Sequence, residues 1–163
     1  MSFAKNLMTL GLSLALFVQP GIARDDEPSR LRGSFSGSAI EAPTDNPFVF
    51  EAAITGAGNA SPLGPCKVAA THLVDSRTLA FANGRIAFTG KQGAIFGSYR
   101  GQFYPTQTPG VFTLVASVRI TGGTGKFRGV TGSGSLGGTV NSNTDSEQFA
   151  ASIDASIELE HRD

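Results

Sequence analysis

The chain has 163 residues, with 13 basic and 13 acidic side chains and a mean hydropathy of 0.00. A chain without excess positive charge gives no electrostatic reason to expect a nucleic acid or an anionic membrane surface as its partner. Cys66 is the only cysteine and cannot form an internal disulfide, and the two histidines, His72 and His161, are too few for a multi-histidine metal site, so we predict no metal and no other cofactor.

Residues 1–23 have the pattern of a secretory signal peptide. Lys5 supplies a positive charge, residues 7–18 form an uncharged and mostly apolar run, and small residues precede position 24. A charged run begins there, before about 20 apolar residues have accumulated, which argues against a membrane anchor. Cleavage would leave 12 basic against 13 acidic side chains. We therefore predict a secreted or periplasmic protein, without stable insertion in a membrane, whose residues 24–163 form one domain.

Alternation of apolar and polar side chains predicts β-strands along the rest of the chain. It is clearest near the end, where Phe149, Ala151 and Ile153 lie on one parity and polar side chains on the other. Turn signals, among them Ala82-Asn83-Gly84, separate the segments. The predicted strands are residues 31–40, 48–55, 66–73, 85–90, 94–104, 111–121, 127–140 and 147–160.

These eight strands predict an all-β fold, a single eight-stranded antiparallel β-barrel. No segment after residue 23 keeps a period of 3.6, which argues against helical crossovers between parallel strands. A sandwich would also hold eight short strands, but closure removes the exposed edges. Glycines on one parity within a strand, such as Gly97 and Gly101, permit the bending that closure needs and favour the barrel.

The glycine-rich segment of residues 120–138 raises the alternative of a phosphate-binding loop. A Walker loop requires a serine or threonine after its Gly-Lys pair, and here Phe127 follows Lys126. A dinucleotide-binding fingerprint requires a helix after the glycines, and here a strand is predicted. The glycines instead predict a turn over residues 121–125 that leads into a bent strand, so we assign them a structural role. The turn glycines are Gly122, Gly123, Gly125 and Gly129.

The same segment, ITGGTGKFRGVTGSGSLGG, resembles the GGTGKF segment of plant dirigent proteins and the related turn of allene oxide cyclases. It is still more similar to small exported bacterial barrel proteins of that superfamily, in which a Thr-His-Leu strand and an Ala-Asn-Gly turn come first. Here these are ATHL at residues 70–73 and FANG at residues 81–84. The resemblance covers about residues 66–138 and implies the allene oxide cyclase/dirigent-like barrel.

The resemblance also implies a kind of function. Dirigent proteins hold a reactive phenoxy intermediate and steer its coupling or cyclisation, and allene oxide cyclases steer the closure of an unstable fatty-acid epoxide. Both act mainly by shaping an apolar cavity. The part that matches here is scaffolding, and no catalytic residue of the family can be placed on a numbered position of this chain.

The residues themselves offer a few candidates for ligand binding. Tyr99, Arg100 and Tyr104 lie close together in one predicted strand, and alternation turns one of the tyrosines toward the barrel interior. An inward hydroxyl or guanidinium could bind a ligand oxygen, whereas an outward arginine would only pack along its neighbours. His72 is a further candidate, either for a ligand or for a small polar cluster with Asp75 and Arg77.

Three functions remain open. The first, which we favour, is a non-catalytic barrel that binds a small apolar or aromatic molecule outside the cytoplasm. The second is a cyclase or stereochemical guide like the plant proteins, which would be an isomerase-like enzyme without a cofactor. The third is a structural or self-associating envelope protein, which would form a homo-oligomer. Cys66 could be a reactive thiol but is more typical of a small buried apolar residue.

Overall fold

A computed structural model of the chain describes residues 29–144 and 146–159; the predicted signal peptide at residues 1–23 lies outside them. Eight strands and one short 3₁₀ helix follow in chain order. They are β1 (Ser29–Pro43), β2 (Val49–Ser61), β3 (Gly64–Asp75), β4 (Ala80–Gly90), β5 (Gly93–Pro105), β6 (Val111–Gly123), the 3₁₀ helix (Gly125–Phe127), β7 (Thr131–Asn141) and β8 (Glu147–Glu158).

The strands form one closed barrel in which each pairs antiparallel with its neighbours in the sequence. The barrel closes where β1 pairs with β8, with Gly33 opposite Ile153. The predicted eight-stranded antiparallel barrel is confirmed. Closure gives every described strand two hydrogen-bonded neighbours, so the apolar parity of each strand points inward and the other parity outward.

The base of the barrel is its most tightly packed region. Phe127 and Val130, in the connection between β6 and β7, are completely buried beneath the strands. The Phe35 and Phe88 rings pack above them with their centroids 5.0 Å apart. Because this connection plugs one end, access to the interior is from the opposite end, where β1 ends and β8 begins.

The predicted strand at residues 127–140 is wrong at its start, since β7 begins at Thr131. Phe127 belongs to the 3₁₀ helix because its large apolar side chain is buried by plugging the base. The turn also comes later than predicted. Gly125 and Gly129 have φ values of 58° and 78°, which favour glycine, whereas Gly122 and Gly123 still belong to β6.

The predicted turn at Ala82-Asn83-Gly84 is also wrong, because β4 runs through it as a β-bulge. Two residues of β4, Asn83 and Gly84, lie opposite His72 on β3, since Thr71 pairs with Arg85 and Leu73 with Ala82. Asn83 has a φ of 55°, which asparagine tolerates better than most residues. The chain reverses instead at residues 76–79.

Within the described residues, no helix has the length and apolarity needed to cross a bilayer. Several large apolar side chains lie on the outer face of the barrel or in its exposed loops. The most exposed are Ile40, Tyr104, Val115, Phe48 and Phe96.

Candidate functional site

A buried polar pair lies inside the barrel between β3 and β5. His72 Nδ1 and the Tyr99 hydroxyl are 2.7 Å apart, a hydrogen-bonding distance. Each side chain is only 6 % exposed. Both belong to the inward parity of their strands, so they meet in the interior even though 27 residues separate them along the chain.

Aromatic rings surround this pair. The His72 ring stacks on Phe81 with a centroid distance of 4.8 Å and meets the Tyr99 ring edge-on at 5.6 Å. Phe103 lies 6.0 Å from His72 and 4.8 Å from Phe81, again between ring centroids. These contacts fix the imidazole and the phenol in one orientation and exclude charge from their immediate neighbourhood.

The bulge in β4 makes the meeting of β3 and β5 side chains possible. Gly84 pairs with Tyr99, and a Cβ atom on Gly84 would stand 2.6 Å from Tyr99 Cδ1. Any side chain at this position would therefore push the phenol away. Glycine at residue 84 leaves the space through which Tyr99 reaches His72 across the intervening strand.

Burial sets the protonation of the pair. The pKa of His72 falls to about 4, because burial penalises the charged imidazolium. Burial likewise raises the pKa of Tyr99 well above its ordinary value, because it penalises the phenolate. At neutral pH the pair is therefore an uncharged imidazole hydrogen-bonded to an uncharged phenol.

The pair lines a half-enclosed interior cavity of about 60 Å³. This is more than the roughly 10–15 Å³ that one water molecule needs. Three of the 16 lining residues, His72, Tyr99 and Glu147, have polar side chains. The remainder are aliphatic or phenylalanine, among them Ile54, Leu114, Leu136 and Phe149. The cavity is thus an apolar space with a few convergent polar groups, the usual character of a small-molecule site.

A wider depression of about 290 Å³ lies at the open end of the barrel and shares Phe103, Val140 and Glu147 with the cavity. Two carboxylates, Glu41 and Glu147, line it. Ala39 pairs with Glu147 across β1 and β8, and Glu41 comes two residues later, so the two carboxylates are diagonal neighbours on the inward face. We call this depression the mouth.

The mouth raises the pKa of both carboxyl groups. For Glu147 the larger cause is burial and the smaller is the negative charge of Glu41; for Glu41 the cause is burial. Neither carboxylate forms an ion pair within the described residues. In the same part of the chain, no three histidine, cysteine, aspartate or glutamate side chains are grouped so as to hold a metal ion.

The structure separates the four predicted ligand-binding residues. His72 and Tyr99 line the cavity, whereas Arg100 and Tyr104 are exposed on the outer face of β5. A ligand inside the barrel would contact the first two and not the others. Cys66 is buried near the base, and burial raises the pKa of its thiol.

The polar cluster considered for His72 does not include it. Asp75 accepts hydrogen bonds from Arg77 Nε and Nη2 at 3.1 and 2.8 Å, and the Arg77 guanidinium lies 4.7 Å from the centroid of the Phe48 ring. These hydrogen bonds lower the pKa of Asp75 to about 2. The ion pair lies in the turn after β3, at the surface, while His72 points inward.

Sequence reasoning missed the two carboxylates of the mouth and the phenylalanines around His72. A signal was present: Glu147 shares parity with Phe149 and Ala151, and Glu41 shares it with Phe35 and Ala39. An acidic residue at the end of an apolar parity marks an inward position near a rim. Phe81 gave no such signal, because the predicted turn removed it from the strand.

Comparison with known proteins yields little beyond shape. No protein-family model matches the chain, and no curated protein matches it significantly. Among solved structures, a pterocarpan synthase dirigent protein is similar at 14% sequence identity and a TM-score of 0.48, over 94% of this chain and 100% of that one. At this identity no residue of that protein's site can be transferred to this chain.

Proposed function

We propose that this protein is a non-catalytic binder of a small, mostly apolar molecule, held in the cavity and mouth of the barrel. The observation that carries the proposal is the half-enclosed cavity, whose apolar walls converge on the buried His72–Tyr99 pair. Buried polar groups in an apolar wall fix the orientation of a ligand, while the wall itself supplies most of the binding energy. The pattern of residues 1–23 supports a site of action outside the cytoplasm, either secreted or periplasmic.

The sizes of the two spaces determine how such a ligand would lie. The interior volume of about 60 Å³ holds only a group of a few atoms, whereas the mouth offers about 290 Å³. We therefore place the narrow end of the ligand beside His72 and its bulk between Phe103 and Val140. A ring with a short substituent fits this division.

The test is a titration with ethylbenzene, a small neutral probe, followed by NMR. Ala70→Leu would place three further carbon atoms in the cavity, because Ala70 lines it. Ala69→Leu is the matched control, because Ala69 is the neighbour of Ala70 and its side chain points outward. We expect binding to the original protein, at least tenfold weaker binding to Ala70→Leu and unchanged binding to Ala69→Leu. Equal affinities for the three proteins, each shown to be folded by its melting temperature, would place the probe elsewhere and contradict the proposal.

A second candidate is the steering of a reactive intermediate, the role that the dirigent resemblance implies. One observation favours it: Glu147, whose pKa is raised, borders the same apolar space and could hold a proton near a bound intermediate. The test is the coupling of phenoxy radicals made by a separate one-electron oxidant, with chiral chromatography of the products. An enantiomeric excess that disappears in Ala70→Leu would support steering, and a racemic product would exclude it for that phenol.

A further inference from the structure

The wall of the cavity offers one unused hydrogen-bonding atom, His72 Nε2. His72 Nδ1 forms a hydrogen bond with the Tyr99 hydroxyl. Within the described residues, no fully buried side-chain nitrogen or oxygen lacks a hydrogen-bond partner. Nε2 has no such partner, so it keeps some accessible surface, and His72 is one of the residues that line the cavity. A ligand in the cavity would therefore meet this atom.

The hydrogen bond to Tyr99 determines whether Nε2 donates or accepts. A neutral imidazole carries one proton, and a phenol has one to donate. If Tyr99 donates to Nδ1, the imidazole proton is on Nε2 and only that N–H is left for the cavity. If Nδ1 donates instead, both the phenol proton and Nε2 are left facing apolar walls. Because each unpaired buried polar group costs free energy, the first arrangement is favoured and Nε2 is a donor.

The outer end has the opposite character. Glu41 and Glu147 project into the mouth, and the described residues that line it include no lysine, arginine or histidine. Its other polar side chains are Ser76 and Ser142. The mouth thus places two carboxyl groups, which are negative when ionised, beside apolar walls, with no positive side chain among the described residues that line it. An ammonium group would be attracted there, and a carboxylate repelled.

We infer that the ligand is an aromatic or aliphatic amine that also carries a carbonyl or ether oxygen, with the oxygen bound by His72 Nε2–H and the ammonium group by Glu41 and Glu147. The inference rests on the proposed function, since it describes the occupant of the same cavity. It specifies a ligand with opposite polarity at its two ends. It also excludes fatty acids and other carboxylates that would enter with the charged group at the mouth.

Three probes of the same size test the charge at the outer end. They are 4-acetylbenzylamine, 4-acetylbenzyl alcohol and 4-acetylbenzoate, which share an aryl ketone and differ in the group that would lie in the mouth. At pH 8, titration calorimetry should give the tightest binding for the amine, intermediate binding for the alcohol and at least tenfold weaker binding for the carboxylate. In Glu147→Gln the ratio of amine to carboxylate affinity should fall below threefold. Glu51→Gln, which removes an outward carboxylate from β2, should leave the ratio unchanged.

A fourth probe tests the inner end. In 4-ethylbenzylamine an ethyl group replaces the acetyl group, so no oxygen faces His72. The ketone should bind at least fivefold more tightly than the ethyl compound in the original protein and about equally in His72→Phe. If His72→Phe does not fold, the ratio in the original protein still decides the matter.

The outcomes separate this inference from the proposed function. Equal affinities for the amine and the carboxylate, or tighter binding of the carboxylate, would overturn the assignment of the mouth while leaving the cavity as a binding site. Equal affinities for the ketone and the ethyl compound in the original protein would overturn the assignment of His72. If no probe binds, and ethylbenzene does not bind either, the proposed function fails and the inference fails with it.

Discussion

The buried imidazole of His72 should make the stability of the barrel depend on pH in a way that one substitution removes. In the unfolded chain this group has an ordinary pKa of 6.5, and in the folded barrel its pKa is about 4. Between these values the unfolded chain binds more protons than the folded one. The free energy of unfolding therefore rises with pH through this window. The contribution of His72 to it is complete above pH 6.5 and is lost as the pH falls to 4.

The magnitude follows from the same two values. One pKa unit corresponds to about 1.4 kcal/mol, so His72 alone should account for about 3 kcal/mol between pH 7.5 and pH 3.5. His72 is 6 % exposed, so solvent screening reduces this figure little. Asp75 and Asp154 have lowered pKa values and also lose stabilisation in acid, while Glu41 and Glu147 have raised pKa values and act in the opposite sense.

A difference measurement isolates the histidine from these carboxyl groups. Urea unfolding of the original protein and of His72→Phe at pH 3.5, 5, 6 and 7.5 gives two curves of free energy against pH. The carboxyl contributions are common to both curves. The penalty of leaving Tyr99 without a partner arises only in His72→Phe, but it is the same at every pH and so shifts that curve without changing its slope. We expect the curves to diverge by about 3 kcal/mol over the range. Curves that stay parallel within about 0.5 kcal/mol would refute the claim that the buried imidazole is held neutral. If His72→Phe does not fold, His72→Leu provides a second comparison.

Three further predictions concern the packing around the site and the base. Phe127→Ala should lower the free energy of unfolding, measured in urea, by about 3–5 kcal/mol, because it removes the fully buried ring at the base. Phe96→Ala, on the outer face and 38 % exposed, should lower it by less than about 1 kcal/mol. Similar losses for the two variants would show that the Phe127 ring does not support the base. Gly84→Ala should lower the free energy of unfolding by more than about 1 kcal/mol, because its Cβ would displace Tyr99. It should also abolish the tighter binding of 4-acetylbenzylamine relative to 4-ethylbenzylamine. Gly122→Ala, where a Cβ meets nothing within 4 Å, should change the free energy of unfolding by less than about 0.5 kcal/mol, and equal effects of the two substitutions would contradict this account of the bulge. The Cys66 thiol should react slowly with a chromogenic disulfide reagent in the folded protein and at once in urea, because it is buried and its pKa is raised. A rapid reaction without denaturant would contradict its burial.

Alternation of side chains was enough to predict the strands and the parity that faces inward. On β8, for example, Phe149, Ala151 and Ile153 point into the barrel, because the side-chain period of a strand is two wherever the ladder is regular. On β5 both parities carry aromatic residues, so alternation left open which tyrosine faces inward, and the structure shows that it is Tyr99. The pattern failed where the ladder is irregular. The bulge at Asn83 has the composition of a turn, and a local signal cannot distinguish a chain reversal from an extra residue in a continuing strand.

The connection at Phe127 shows a related failure. The predicted strand of residues 127–140 included Phe127, yet this side chain is buried by capping the open base of the barrel. That demand for burial exists only once eight strands have closed around an apolar interior. A sequence window of a dozen residues contains no information about it.

The sequence by itself predicted the eight strand segments, the antiparallel barrel and, where one parity is clearly apolar, the face that points inward. Only the tertiary structure decided which of the inward side chains meet. His72 and Tyr99 lie on strands that are not adjacent, and their contact depends on the register of three strands, on a bulge and on a glycine between them. The carboxylates of Glu41 and Glu147 come together because closure pairs the first strand with the last. Both results depend on distances across the barrel, which no periodicity along a single strand can encode.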